Sequence, residues 1–243
     1  MREQNPTLTS PPSGEMGSTI KILNTQMVVN PDFFGNLLAL WAGMSWLASR
    51  KHPAWSWLAR LSAGALSAAA LVLADVGHAL AHTVSACYSG APMDEIQLSS
   101  GMPRTIYYDD DISPRAHRMR ALGGPVFSAF GLLISLLVRI SFPRNSMARY
   151  VANWSSIGHG LILAGSLAPL PIVDGGSILK WTLVDRGRTP KQADQIVKQA
   201  GIVTGFTATA VGAGLATRQR WLPAVGLLAA GVIAIGAALG KIR

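Results

Sequence analysis

Cysteine occurs once in this 243-residue chain, as Cys87, so an internal disulfide and a cysteine-built metal cluster are both excluded. Charge is scarce too: 14% of the residues are Asp, Glu, Lys or Arg, against about 25% in an ordinary soluble domain. Acids are the scarcer sign, with 12 Asp and Glu against 21 Lys and Arg. The N-terminal stretch lacks the short apolar core of a secretory signal. A formal charge of +9 first suggests nucleic acid. The cations, however, gather in short loops beside apolar runs, as Arg50, Lys51 and Arg60 do, and again Arg139, Arg144 and Arg149. That placement suits membrane lipid headgroups, and no nucleic-acid partner is expected.

What is abundant is apolar sequence, 49% of the chain. A helix crosses a bilayer with roughly 20 mostly apolar residues. The pattern predicts an all-α, multi-pass integral membrane protein, of the cell membrane, with six spans. They lie near Phe33–Ser49, Leu58–Cys87, Ala121–Phe142, Val151–Val173, Gly201–Ala216 and Trp221–Gly240. Residues 1–32, rich in Pro, Ser, Thr and Asn, read as a flexible tail before a membrane domain over 33–243. Between the second and third spans, Ile96–Leu98 and Thr105–Tyr108 flank Ser99-Ser100-Gly101, which predicts a small β-hairpin. The basic stretch from Lys180 to Gln199 reads as a loop, in which Pro190 begins a short amphipathic helix through Val197.

The second span holds the unusual chemistry: Asp75, His78 and His82. Histidines at i and i+4 share a helix face, so both imidazoles can reach one metal ion. Asp75, three residues before His78, lies on that face as well. Ionisable groups inside a span are costly and mark function by default. The bland alternative is hydrogen bonding between helices. The fourth span ends in Ser166-Leu167-Ala168-Pro169-Leu170-Pro171-Ile172-Val173-Asp174-Gly175-Gly176. Two prolines break the helix there and leave Asp174 at a non-helical point, either lining a cavity or simply solvated at a helix end.

Together these pieces resemble the site-2 protease family of intramembrane zinc metalloproteases. That family carries H-E-x-x-H on one span and a motif close to N-x-x-P-x-P-x-x-D-G two spans later. His78, Ala79 and His82 stand in the first motif; Ser166, Pro169, Pro171, Asp174 and Gly175 stand in the second. Gly124-Pro125 with Ser128 is similar to the family's Gly-Pro-x-x-Asn. The resemblance covers roughly residues 58–180 and leaves two further C-terminal helices over 201–240. It implies that His78, His82 and Asp174 hold one zinc, and that the substrate is a transmembrane peptide or protein segment. Two crossings separate the histidines from Asp174, which puts them on one side of the membrane.

The departure is at Ala79, where the family has the Glu that acts as general base on the attacking water. Either the zinc site survives without proteolysis, or another carboxylate substitutes. Asp75 is the candidate by helix face, although it sits about 4.5 Å farther along the axis than His78; it could equally orient His78 through the other ring nitrogen. Ser166, in place of the family's Asn, is a candidate for substrate positioning. His159 lies about fifteen residues before Asp174, over roughly 20 Å by helical rise, and reads as a packing residue. His52 and His117 read as solvated loop residues, and Asp109-Asp110-Asp111 as an exposed acidic loop. Two other classes stay open: a haem or metal-relay protein using His78, His82 or His159, and a structural or transport component. Orientation also stays open, because short loops weigh most in setting it and the short loops lie opposite the predicted zinc side.

Overall fold

Ser56, Ser113, Ser146 and Thr189 each stop one segment and start the next. Their hydroxyl oxygens accept the amide hydrogens of Ala59, Ala116, Arg149 and Gln192, which capping of a helix N-terminus requires. The helices they begin are α2 (Trp57–Tyr88), α3 (Pro114–Ser141), α4 (Met147–Ser166) and α6 (Pro190–Thr217). Three more complete the helical set: α1 (Pro31–Lys51), α5 (Asp174–Asp185) and α7 (Trp221–Ala238). The structure, a computed structural model, describes residues 18–23, 25–101, 103–107 and 111–242.

The chain is a multi-pass integral membrane protein. Helices α2, α3, α6 and α7 are each long and apolar enough to cross a bilayer. Helices α1 and α4, with 21 and 20 residues, lie at the other two predicted spans and are long enough, but are not among the helices apolar enough to cross. Helix α2 is central, packed on α1, α3 and α4, while α6 and α7 form a hairpin tied to the rest through α5.

Two boundaries depart from expectation. The fourth helix stops at Ser166 rather than Val173, because Pro169 and Pro171 cannot donate to a helical ladder. The expected loop over 180–199 is mostly helix: α5 runs to Asp185, and Pro190 opens a 28-residue helix rather than a short one. A full capping box at Thr189 and Gln192 starts that helix, and nothing in the following sequence stops it.

The hairpin forms as β3 (Glu95–Leu98) and β4 (Arg104–Ile106). It belongs to a larger sheet than expected. Residues 18–29 of the segment read as a flexible tail form β1 (Ser18–Ile22) and β2 (Thr25–Val29). The order is β1-β2-β3-β4, with β2 parallel to β3 and Met27 opposite Ile96. The tail reading failed because its Pro- and Ser-rich composition masks two short runs, Thr19-Ile20-Lys21-Ile22 and Gln26-Met27-Val28-Val29. The buried face of the sheet, Met27, Met93, Ile96 and Leu98, packs on Ala79 and Ala86 of α2. The sheet therefore lies directly against the helix face beside the histidine pair.

His117 is buried rather than solvated, stacked on Trp181 with ring centroids 3.7 Å apart, and His52 stacks on Trp55 at 4.0 Å. Asp109 and Asp110 lie outside the described residues.

Asp32, in the first turn of α1, accepts the Ser100 amide hydrogen at 2.8 Å and so ties α1 to the β3–β4 turn. That amide holds the Asp32 carboxyl below the usual carboxylate range. A depressed folded-state value stabilises above the ordinary carboxylate value and is lost as pH falls through the lowered one. Hydrogen exchange at Ser100, corrected for its intrinsic rate, should accelerate as pH drops through that window. Asp32→Asn should show the faster exchange at every pH; protection independent of both would discard the tie.

Candidate metal centre

His78 and His82 stand one turn apart on α2, with their Nε2 atoms 3.2 Å from each other. The third group comes from a different part of the chain. After Pro169 and Pro171 the backbone restarts as a helix with Asp174 in its first turn, where the positive end of the helix dipole favours a carboxylate. Gly175 and Gly176 make that restart possible. A Cβ on either would collide with the carbonyls of Leu167, Ala168 and Leu170, so the α5 tip lies flush against the broken segment. Asp174 Oδ2 is 3.2 Å from His78 Nε2, and Oδ1 is 3.3 Å from His82 Nε2. Among the described residues these three form the one group able to hold a metal ion.

The outer nitrogens decide what the inner ones present. His82 Nδ1 is 2.7 Å from the Arg120 carbonyl. A carbonyl only accepts, so Nδ1 carries the proton, and Nε2 of the neutral ring presents a lone pair. (The Gly124 amide also faces this Nδ1, at 3.4 Å, a much longer contact than the 2.7 Å to the carbonyl.) Facing that lone pair at 3.3 Å is a carboxylate oxygen, which also only accepts. Two acceptors at this distance repel unless a cation, a proton or a metal, lies between them. His78 Nδ1 meets the buried Ser128 hydroxyl at 2.9 Å, leaving its Nε2 free toward the same point.

The spacing fits one candidate. Tetrahedral zinc ligands at about 2.0–2.1 Å stand roughly 3.3 Å apart; here Nε2 to Nε2 is 3.2 Å, and the carboxylate reaches His78 through Oδ2 at 3.2 Å and His82 through Oδ1 at 3.3 Å, with one ligand atom from each residue lying within 4.8 Å of the other two. Space is kept as well: a Cβ on Gly124 would run into both Nε2 atoms. Nitrogens 3.2 Å apart leave no room for a porphyrin plane between them. The set also leaves a fourth tetrahedral position without a protein ligand.

The other anticipated residues fall elsewhere. Asp75 is half-buried, makes no hydrogen bond or ion pair among the described residues, and is outside the cluster. Ser166 is buried, and its hydroxyl bonds back to the Leu163 carbonyl of its own helix at 3.3 Å. Ala79 is 3% exposed and packs into the sheet core, so no proton acceptor stands at that position. His159 is buried beside Gly131 and Phe127, away from the cluster, which agrees with a packing role.

Arg120 was not anticipated at all. It is buried, donates from Nε to the Ala91 carbonyl at 2.7 Å and from Nη2 to the Pro92 carbonyl at 3.3 Å, and stacks over the Tyr107 ring at 4.3 Å. Burial pushes the Tyr107 phenol above its ordinary range, against the pull of Arg120, so it stays protonated. The side chain of Arg120 thus anchors the loop before the sheet, while its carbonyl orients His82. A backbone carbonyl leaves no trace in residue identity, so only the unusual buried arginine could have signalled it.

Among solved structures, the Site-2 Protease from Methanocaldococcus jannaschii matches with a TM-score of 0.54 and 17% identity, over 93% of this chain and 95% of that one. The chain has the site-2 protease fold. No protein-family model and no curated protein sequence matches it. At that identity the likeness concerns architecture alone. The site-2-protease-like fold does account for the order in which α2, the broken segment and α5 bring their side chains to one point.

Gly124→Ala should abolish stoichiometric metal in purified protein, while Gly43→Ala, whose added methyl meets nothing within 4 Å, should not. Elemental analysis checks both, and metal retained by a folded Gly124→Ala protein would discard the site. Ser128→Ala should weaken metal affinity by about 10–100-fold, the usual cost of losing a group that orients a ligand. A chelator competition titration reads that difference.

Proposed function

We propose that the chain is a zinc-binding, site-2-protease-like membrane protein that engages membrane-embedded peptide segments with little or no hydrolytic turnover. One observation carries the zinc assignment: a carboxylate oxygen and a lone-pair nitrogen face each other at 3.3 Å, at tetrahedral-ligand spacing. Zinc in that position supplies a Lewis acid and lowers the pKa of water. His78 and His82 would hold it as neutral imidazoles, with Ser128 and the Arg120 carbonyl fixing their outer nitrogens. Asp174 would supply the negative charge.

The limit on turnover follows from Ala79. Moving a proton from the attacking water to the leaving amine needs a basic side chain next to the metal, and alanine has none. Removing a general base typically costs a factor of about 10²–10⁴. The peptide-binding reading rests on the fold and on the ligand cluster lying among membrane helices.

A second reading, an active protease, has an observation of its own. Asp75 is a half-buried carboxylate with no hydrogen-bond or ion-pair partner among the described residues, one turn from His78. An unpaired acid inside a span is expensive and is kept for a use. In that reading Asp75 takes the proton that Glu takes in related enzymes.

Purified protein should carry one zinc per chain, lost in His78→Ala and in Asp174→Asn. With a helix-destabilised transmembrane substrate it should show binding and negligible cleavage. Ala79→Glu should raise chelator-sensitive cleavage by about 10²-fold or more. A folded, zinc-loaded Ala79→Glu protein with no gain would reject the missing base as the limiting factor. Substantial wild-type cleavage that Asp75→Asn removes, with zinc content unchanged, would establish the second reading. Cleavage surviving the loss of both histidines would rule out zinc chemistry altogether.

A further inference from the structure

The membrane face opposite the metal centre is chemically one-sided. It is built from the turns that join α1 to α2, α3 to α4 and α6 to α7. Arg50, Lys51, Arg60, Arg139, Arg144, Arg149, Arg218 and Arg220 lie at those turns. No Asp or Glu among the described residues lies there: every described acid is within α2 or on the metal-centre side.

A groove opens at this face between α2, α3 and α4. Its outer cavity has a volume of about 600 Å³, with Leu66, Ala70, Ile134, Val138 and Val151 on its walls and Phe142 at its mouth. The two serines in the wall, Ser135 and Ser155, hydrogen-bond each other at 2.7 Å. A second cavity of about 340 Å³ shares Ala70, Ile134 and both serines and continues inward to Gly131 and His159, where the wall turns polar. From Phe142 to Gly131 is eleven residues of α3, or about 16 Å by helical rise. That is close to half of a hydrocarbon core about 30 Å thick, the depth of one leaflet.

The mouth is cationic. Arg149 Nη1 donates to the Phe142 carbonyl at 3.1 Å, which holds its guanidinium at the rim. Arg144, in the turn after Phe142, and Arg139, one turn before it on α3, are both exposed. An apolar trough one leaflet deep, ending at the membrane surface in three arginines, complements a molecule with an anionic head and a hydrocarbon tail.

We propose that this groove binds one anionic phospholipid, its phosphate against Arg139, Arg144 and Arg149 and one acyl chain along Leu66, Ala70, Ile134 and Val138. The site is separate from the metal centre and does not depend on the function proposed for it. Occupancy fills the gap that α2, α3 and α4 leave between them, and the headgroup neutralises a face with no acids among the described residues.

Native mass spectrometry of the full chain, extracted in mild detergent and titrated with dioleoyl phosphatidylglycerol or dioleoyl phosphatidylcholine, tests this. One phosphatidylglycerol should be retained per chain, at least tenfold more tightly than phosphatidylcholine. Inorganic phosphate and deacylated glycerophosphoglycerol should not compete. The triple variant Arg139→Gln, Arg144→Gln, Arg149→Gln should bind both lipids equally and weakly. Ile134→Trp plugs the groove from a position that is 59% exposed, so the fold tolerates it, and should weaken both lipids. Unchanged circular dichroism melting keeps each variant interpretable. Equal retention of the two lipids by wild type would overturn the proposal. So would a phosphatidylglycerol preference that survives the triple variant, or one that ignores Ile134→Trp, which would reduce the contact to a surface headgroup.

Discussion

The Arg120 carbonyl fixes the chemistry of everything around it. By accepting the His82 Nδ1 proton at 2.7 Å, it turns the other nitrogen into an acceptor, aimed at a carboxylate that is also an acceptor. Such a contact cannot persist at membrane depth without a positive charge between the two, because there is no bulk water to screen it. The rest of the local architecture serves that arrangement. Gly124 keeps the space empty, Ser128 holds the second imidazole, and the glycine-lined α5 tip brings the carboxylate in. Neutral substitutes at these positions would give an equally packed bundle without a demand for a cation.

Ligand convergence and a proton acceptor beside it come apart in this chain. Three ligand atoms converge, while position 79 belongs to the apolar contact between α2 and the sheet. A carboxylate there would have to leave or disrupt the packing of Met93 and Ile96, since a buried charge without a partner is heavily penalised. Ala79 is therefore part of how the sheet seats on the helix as well as a gap in the chemistry. The groove at the other membrane face uses the same helices for a different purpose, with α3 contributing Gly124 and Ser128 at one end and Phe142 at the other.

The apolar runs made the helices legible, and the i, i+4 histidines with the Pro-x-Pro-x-x-Asp stretch made three residues of the site legible. Side chains carry that information directly. What escaped was carried by backbone or by long-range pairing. The Arg120 carbonyl looks like any other carbonyl in sequence. Strands β1 and β2 are five residues each, and their hairpin joins the sheet through a partner 69 residues away, as Met27 has in Ile96, so local composition outvoted them. Asp75 shares a helix face with His78 on a wheel diagram, yet one turn of rise was enough to leave it outside the cluster.

Because β2 runs parallel to β3, the chain between them must return to the side from which it left. In a soluble fold one packed helix makes that return; here α1 and α2 make it by going out through the bilayer and back. The sheet is thus a topological lock. The β2–β3 pairing needs both helices in place; without it the β1–β2 hairpin keeps its own pairing but loses its link to β3. The β2–β3 seam ties the arrangement of α1 and α2 to the small sheet above them.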